Sequence, residues 1–101
     1  MSITSQLSAD GQELVIHVHG RFDFSSHQAF REAYERRDVS PKRYQVDLRE
    51  ATYLDSSALG MLLLLRDHAG GDLARVRLSH GNDEVRKILS ISNFEQLFHI
   101  D

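Results

Sequence analysis

The chain has 101 residues, 41% of them apolar and 27% charged, with a formal net charge of −3 and no cysteine. That length supports one hydrophobic core, a single domain over residues 1–101, without disulfides or structural metal, and the lack of cysteine excludes thiolate chemistry. A net acidic chain lacks the Lys and Arg surplus that duplex binding leans on, and its longest apolar run is far shorter than the about 20 residues of a bilayer span, so neither nucleic acid nor membrane is an expected partner. No signal peptide is expected at Met1-Ser2-Ile3-Thr4, where a positive start and a continuous apolar stretch would be needed, and the expected location is the cytoplasm.

In chain order, Ile3-Thr4-Ser5-Gln6-Leu7 and Glu13-Leu14-Val15-Ile16-His17-Val18-His19 flank the turn signal Ala9-Asp10-Gly11, which predicts an antiparallel pair. Leu14, Ile16 and Val18 share one strand face. The stretch from Gly20 to Ser26 is expected to leave the strand as a loop, with Ser25 or Ser26 capping a helix that runs to about Arg37. Its buried stripe would be Ala29, Phe30, Ala33 and Tyr34. After the break at Ser40-Pro41-Lys42, Tyr44 to Leu48 alternates as a strand, and Arg49-Glu50-Ala51-Thr52 leads to the central helix.

That helix opens at Asp55-Ser56-Ser57 and carries the apolar run Ala58 to Leu65 before Arg66, Asp67 and Gly70-Gly71. Asp55 is the expected N-cap, Ser56 falls in the first turn, and Gly70 supplies the left-handed residue past the end. Apolar side chains cover most of its circumference, which predicts a buried helix. Leu73 to Ser79 then alternates as a strand. Asn82 caps a helix from Asp83 to about Ser90 with Val85, Ile88 and Leu89 inward. A short turn at residues 93–98 follows, and Ile100 closes on the sheet. Strands separated by helices imply parallel pairing, so the expectation is an α/β fold with a mixed, mostly parallel sheet and helices mainly on one face.

Three groups of residues could carry chemistry. Ser56 and Ser57 behind Asp55 read equally as a plain cap or as a phosphoacceptor. A phosphate on Ser56 would face the free N–H groups and positive end of its own helix and would add roughly −1.5 to −2 charges beside Asp55. A serine hydrolase would need a glycine-flanked elbow of the G-x-S-x-G kind and a positioned base, and the flanking glycines are missing. His17 and His19 share a strand face, but two ligands fall short of a structural zinc site, and Gly70-Gly71 lacks the Lys-Ser/Thr ending of a phosphate-binding loop. No metal or cofactor is expected. Asp23 between Phe22 and Phe24 sits at a strand exit, the edge where α/β domains place binding sites, and its two aromatic neighbours suggest a docking surface.

The string Leu54-Asp55-Ser56-Ser57-Ala58-Leu59-Gly60, with Gly20-Arg21-Phe22-Asp23 upstream and Val46-Asp47-Leu48 just before it, resembles the STAS domain of bacterial anti-anti-sigma factors over essentially the whole chain. Ala58 stands where many members have Gly. Within the family the chain looks closest to the stand-alone regulators of flagellar, secretion and biofilm control. The resemblance implies the βα superhelix of the STAS fold and a non-enzymatic role as anti-sigma factor antagonist. It implies that Ser56 is phosphorylated by a serine kinase and restored by a PP2C-type phosphatase, the unphosphorylated form binding an anti-sigma factor and freeing the sigma factor. A second signalling partner, such as a diguanylate cyclase, is compatible with it. The expected partner-facing rim is Phe22, Asp23, Phe24, Ser25, Ser26 and His27 with Leu54, Asp55, Ser56, Ser57, Ala58 and Met61. The rival within the family is a non-phosphorylated structural or adaptor subunit of a transport or stress-signalling assembly, in which the serines are only a cap.

Overall fold

The structure, a computed structural model, describes residues 3–101; the reading of the start at Met1 and Ser2 as lacking a leader lies outside them. The elements in order are β1 (Ile3–Leu7), β2 (Glu13–Phe22), α1 (His27–Tyr34), β3 (Arg43–Leu54), α2 (Ser56–His68), β4 (Val76–Ser79), α3 (Asp83–Ile91) and β5 (His99–Ile100). One five-stranded sheet carries them in the order β1-β2-β3-β4-β5. β1 runs antiparallel to β2 and the other neighbours are parallel. The architecture is the mixed sheet with one-sided helices that the element order implies.

Alternation along the strands creates that one-sidedness. Leu14, Ile16, Val18, Tyr44, Val46, Leu48, Val76 and Leu78 are buried on the helix side. The other face carries His17, 3.2 Å from Asp47, and Gln45, whose Nε2 donates to Ser79 Oγ at 2.6 Å. From the helices, Phe30 and Tyr34, Met61, Leu62 and Leu65, and Val85 and Leu89 complete the core. Asn82 caps α3 by accepting from Val85 N at 2.8 Å, as its spacing predicts.

The structure differs from the sequence reading in four places. First, β2 continues to Phe22 and β3 to Leu54, where loops were expected. Two register shifts, between His17 and His19 and between Gly20 and Arg21, place extra residues in β3. They change the burial pattern of β3 from period two to period three, so that Leu48, Ala51 and Leu54 are buried with exposed pairs between them. Gly20, at φ +78°, supplies the backbone conformation of the second shift. Second, α1 starts at His27 after a 3₁₀ turn over Phe24–Ser26 and stops at Tyr34. Third, β4 starts only at Val76, because Gly71–Leu73 forms a 3₁₀ turn that leaves Leu73 88% exposed.

The fourth correction concerns α2. The helix is buried on one side only, because a two-layer fold has nothing outside its helix layer. Ala58, Met61, Leu62 and Leu65 face the sheet, whereas Leu63 and Leu64 are 38% and 51% exposed. Replacing Leu62 by Ala should therefore lower the free energy of unfolding by about 2–5 kcal/mol. The same change at Leu64 should cost less than about 1 kcal/mol. Urea denaturation of the two variants checks the contrast.

Candidate functional site

β2 and β3 end together. Phe22 pairs with Leu54, and Asp55 N donates to Phe22 O at 3.4 Å, so Asp23 and Asp55 leave the sheet as neighbours. Each opens a helical segment and caps it with its carboxylate. Asp23 Oδ1 accepts from Ser25 N at 3.0 Å and from the Ser25 hydroxyl, and Asp55 Oδ1 accepts from Ala58 N at 2.9 Å. Each cap satisfies an N–H that has no partner within the first helical turn.

Arg21 and Tyr53, neighbours on the outward face of the two strands, extend this edge. The Arg21 guanidinium lies 4.5 Å from the centre of the Tyr53 ring, and its Nε donates to Asp23 Oδ2 at 3.3 Å. Phe24 is 73% exposed, and its ring stacks against His27 with centroids 5.9 Å apart. Aromatic side chains and arginine are the residue types enriched in protein-contact surfaces, and Arg21, Tyr53 and Phe24 are the exposed ones at this edge.

Ser56 is exposed as the first residue of α2, and Ser57 is half-buried. Helical geometry sets Ser56, Gly60, Leu63 and Asp67 along one line opposite the sheet, with Leu64 beside it. Gly60 has no structural reason within the chain: a Cβ there would meet nothing within 4 Å, and its φ is ordinary for a helix. Relative to Ala, a glycine at such a position costs about 1 kcal/mol of helix stability.

Of the residues expected on a partner-facing rim, Phe24, Ser25 and Ser56 are exposed, and Asp23, His27, Asp55 and Ser57 are partly so. Phe22, Ser26, Leu54, Ala58 and Met61 are buried. These five are corrected from surface to support: Phe22 packs on Phe30 with ring centroids 5.0 Å apart, and Ser26 donates to Arg21 O at 3.4 Å. The sequence reading passed over Arg21, Tyr53, Gly60, Leu63 and Leu64. A helical wheel started at the Asp55 cap would have found the last three, since serine, glycine and aspartate at positions 56, 60 and 67 mark the outward line.

The two histidines on the open sheet face, His17 and His19, stand on β2 apart from the candidate site. His17 pairs with Asp47, its ring lies 6.5 Å from that of His19, and no group of three or more potential ligands occurs among the described residues. Nor is any helix of the described residues long and apolar enough to cross a membrane.

The sequence pattern described as "Mlab, STAS domain" matches residues 5–99. The chain belongs to the STAS domain family. A STAS-domain containing protein of Pseudomonas aeruginosa (strain UCBPP-PA14) is 69% identical over 100 residues, 99% of either chain. Among solved structures, the STAS domain of an anti-sigma factor antagonist from Rhodobacter sphaeroides is 30% identical with a TM-score of 0.58, over 77% of this chain and 84% of that one. The anti-sigma factor antagonist SpoIIAA in its unphosphorylated form has a TM-score of 0.68 at 14% identity, over 98% of this chain and 86% of that one; this likeness is one of fold.

In this STAS domain the Ser25 hydroxyl is the main cause that holds the Asp23 carboxyl below the usual aspartate range. Partial desolvation opposes it, and Arg21 and the Ser25 N–H add to the lowering. A depressed folded-state pKa means that the cap contributes fully above the ordinary aspartate pKa and is lost as pH falls through the depressed value. Carboxyl ¹³C NMR should show Asp23 titrating below an unstructured aspartate, and Ser25→Ala should move it upward; an unchanged titration would remove Ser25 as the cause. At the second cap, Asp55→Ala should lower stability by about 1 kcal/mol, measured by urea unfolding.

Proposed function

We propose that this STAS domain is an anti-sigma factor antagonist, switched by reversible phosphorylation of Ser56. The observation that carries the reading is the placement of Ser56: an exposed hydroxyl on the first turn of a capped helix, in line with Gly60 and the exposed side chain of Leu63. Family membership supports it, as do the solved relatives described as anti-sigma factor antagonists, one of them in an unphosphorylated form.

In this reading the unmodified outer side of α2, with Phe24 at its edge, docks on an anti-sigma factor, which then releases its sigma factor. Gly60 keeps the helix surface low enough for the partner's backbone to come close. A serine kinase adds the phosphate and a PP2C-type phosphatase removes it, so the domain is a substrate of enzymes and performs no chemistry of its own. The phosphate is tolerated by the fold, because it stays in solvent at the positive end of α2, near first-turn N–H groups that the helix itself does not use. It is not tolerated by the complex, because docking would bury a dianion next to leucine side chains without a counter-charge.

Ser56→Asp should weaken binding to the cognate anti-sigma factor by a few kcal/mol, on the order of 100-fold or more. Ser56→Ala should bind as the unmodified protein does. Isothermal titration with both variants measures this, and equal affinities would refute the switch. Mass spectrometry of the protein from its native cell should place a phosphate on Ser56 that phosphatase treatment removes. Absence of phosphate under all growth conditions would favour the structural-subunit role. Gly60→Ala should raise the free energy of unfolding by about 0.5–1 kcal/mol and at the same time weaken anti-sigma binding; unchanged affinity would move the docking surface away from this side of α2.

A further inference from the structure

We infer that the edge of the sheet opposite Ser56 holds a binding site for a small organic anion, recognised through a carboxylate or phosphate group. At this edge the parallel strands begin side by side, with Glu13 opposite Arg43, Gln45 opposite Arg77 and Arg77 opposite His99. Between them lies a cleft of about 360 Å³, lined among others by Glu13, Arg43, Arg75, Arg77, Leu97 and His99. Tyr44 and Val76 add apolar wall. Small-molecule sites run from roughly 300 to 1,000 Å³, and this cleft, lined more by polar than by apolar groups, has the size for a small charged ligand.

The charges around the cleft are only loosely matched by the protein itself. Arg43 Nε and Arg77 Nη2 share the single oxygen Glu13 Oε2 at 3.6 and 3.8 Å, and Arg77 Nε stands 3.7 Å from Asp101 Oδ2. All three distances are too long for N–H···O hydrogen bonds. Arg77 has one short contact, from Nη2 to Gln45 Oε1 at 2.9 Å, and Gln45 is itself anchored to Ser79 Oγ, so the guanidinium is aimed but not saturated. Its Nε is shielded from solvent without an acceptor. Arg75 is exposed and makes no ion pair among the described residues. His99 lies 3.4 Å from Asp101.

Three guanidiniums and an imidazole thus face two carboxylates in a chain whose net charge is −3. Guanidinium forks match the paired oxygens of carboxylate and phosphate groups, and such bidentate contacts are the strong, directional ones. The cationic lining excludes a metal ion as the occupant. The site lies at the far end of β3 from Ser56 and does not depend on the phosphorylation reading.

The test is ¹H–¹⁵N NMR of the full chain titrated with inorganic phosphate and, separately, with succinate, at ionic strength held constant with sodium chloride. Saturable shifts in the Arg77 side-chain Nε–Hε and in the amides of Arg75, Arg77 and His99, with Kd below about 1 mM, support the site. Saturation by phosphate alone assigns a phosphorylated ligand, and by succinate alone a carboxylate. Arg77→Gln should weaken binding at least tenfold. Arg75→Gln, at an exposed position whose side chain makes no ion pair among the described residues, should weaken it with an unchanged unfolding midpoint. Shifts that chloride reproduces equally, or an Arg75→Gln variant that binds both anions as well as wild type, would overturn the proposal.

Discussion

The candidate site of this domain depends on the bulged parallel pairing of β2 with β3. Two extra residues in β3 bring Phe22 and Leu54 opposite each other at the ends of their strands. Both side chains point into the core, and both are followed at once by a capping aspartate. Without the bulges, the register of the strand starts would set Phe22 opposite Thr52, two residues short of Leu54, and strict alternation would turn Ala51 outward. The side-by-side placement of the Asp23 and Asp55 loops is thus a consequence of the shifted register of β2 and β3.

The second constraint is the two-layer architecture. α2 lies on the sheet with Ala58, Met61, Leu62 and Leu65 beneath it, and no further layer covers its other side. Leucines adjacent in sequence consequently have opposite roles: Leu62 and Leu65 hold the fold, while Leu63 and Leu64 offer apolar surface to whatever docks there. In the proposed switch this separation matters energetically. Ser56 is far enough from the core that a charge on it costs folding little, yet it belongs to the surface that a partner must desolvate.

Parallel pairing also makes the two ends of the sheet chemically different. The strand exits carry Asp23, Asp55 and the exposed serine; the strand starts carry Arg43, Arg75, Arg77 and His99 around Glu13. The first end presents an exposed hydroxyl and the exposed ring of Phe24 beside two carboxylates that cap helical segments. The second presents arginines, of which Arg43 and Arg77 meet the carboxylates of Glu13 and Asp101 only at 3.6–3.8 Å.

By itself, the sequence determined the order and type of most elements, the caps Asp55 and Asn82, the buried stripes of α1 and α3, and the placement of Ser56 on a first helical turn. These are local properties, written in periodicity and in hydrogen bonds between residues three apart. Tertiary structure decided the full lengths of β2 and β3, because a bulge is defined by the partner strand and erases the alternation by which Arg49 to Tyr53 could have been read as strand. It also decided which leucines of α2 are covered, since an all-apolar helix carries little information about which side meets the sheet. For the same reason Phe22, Leu54, Ala58 and Met61, next to the acidic loops in sequence, lie beneath the surface. The arginine cleft comes from four strands far apart in the chain, and only their shared starting edge brings its residues together.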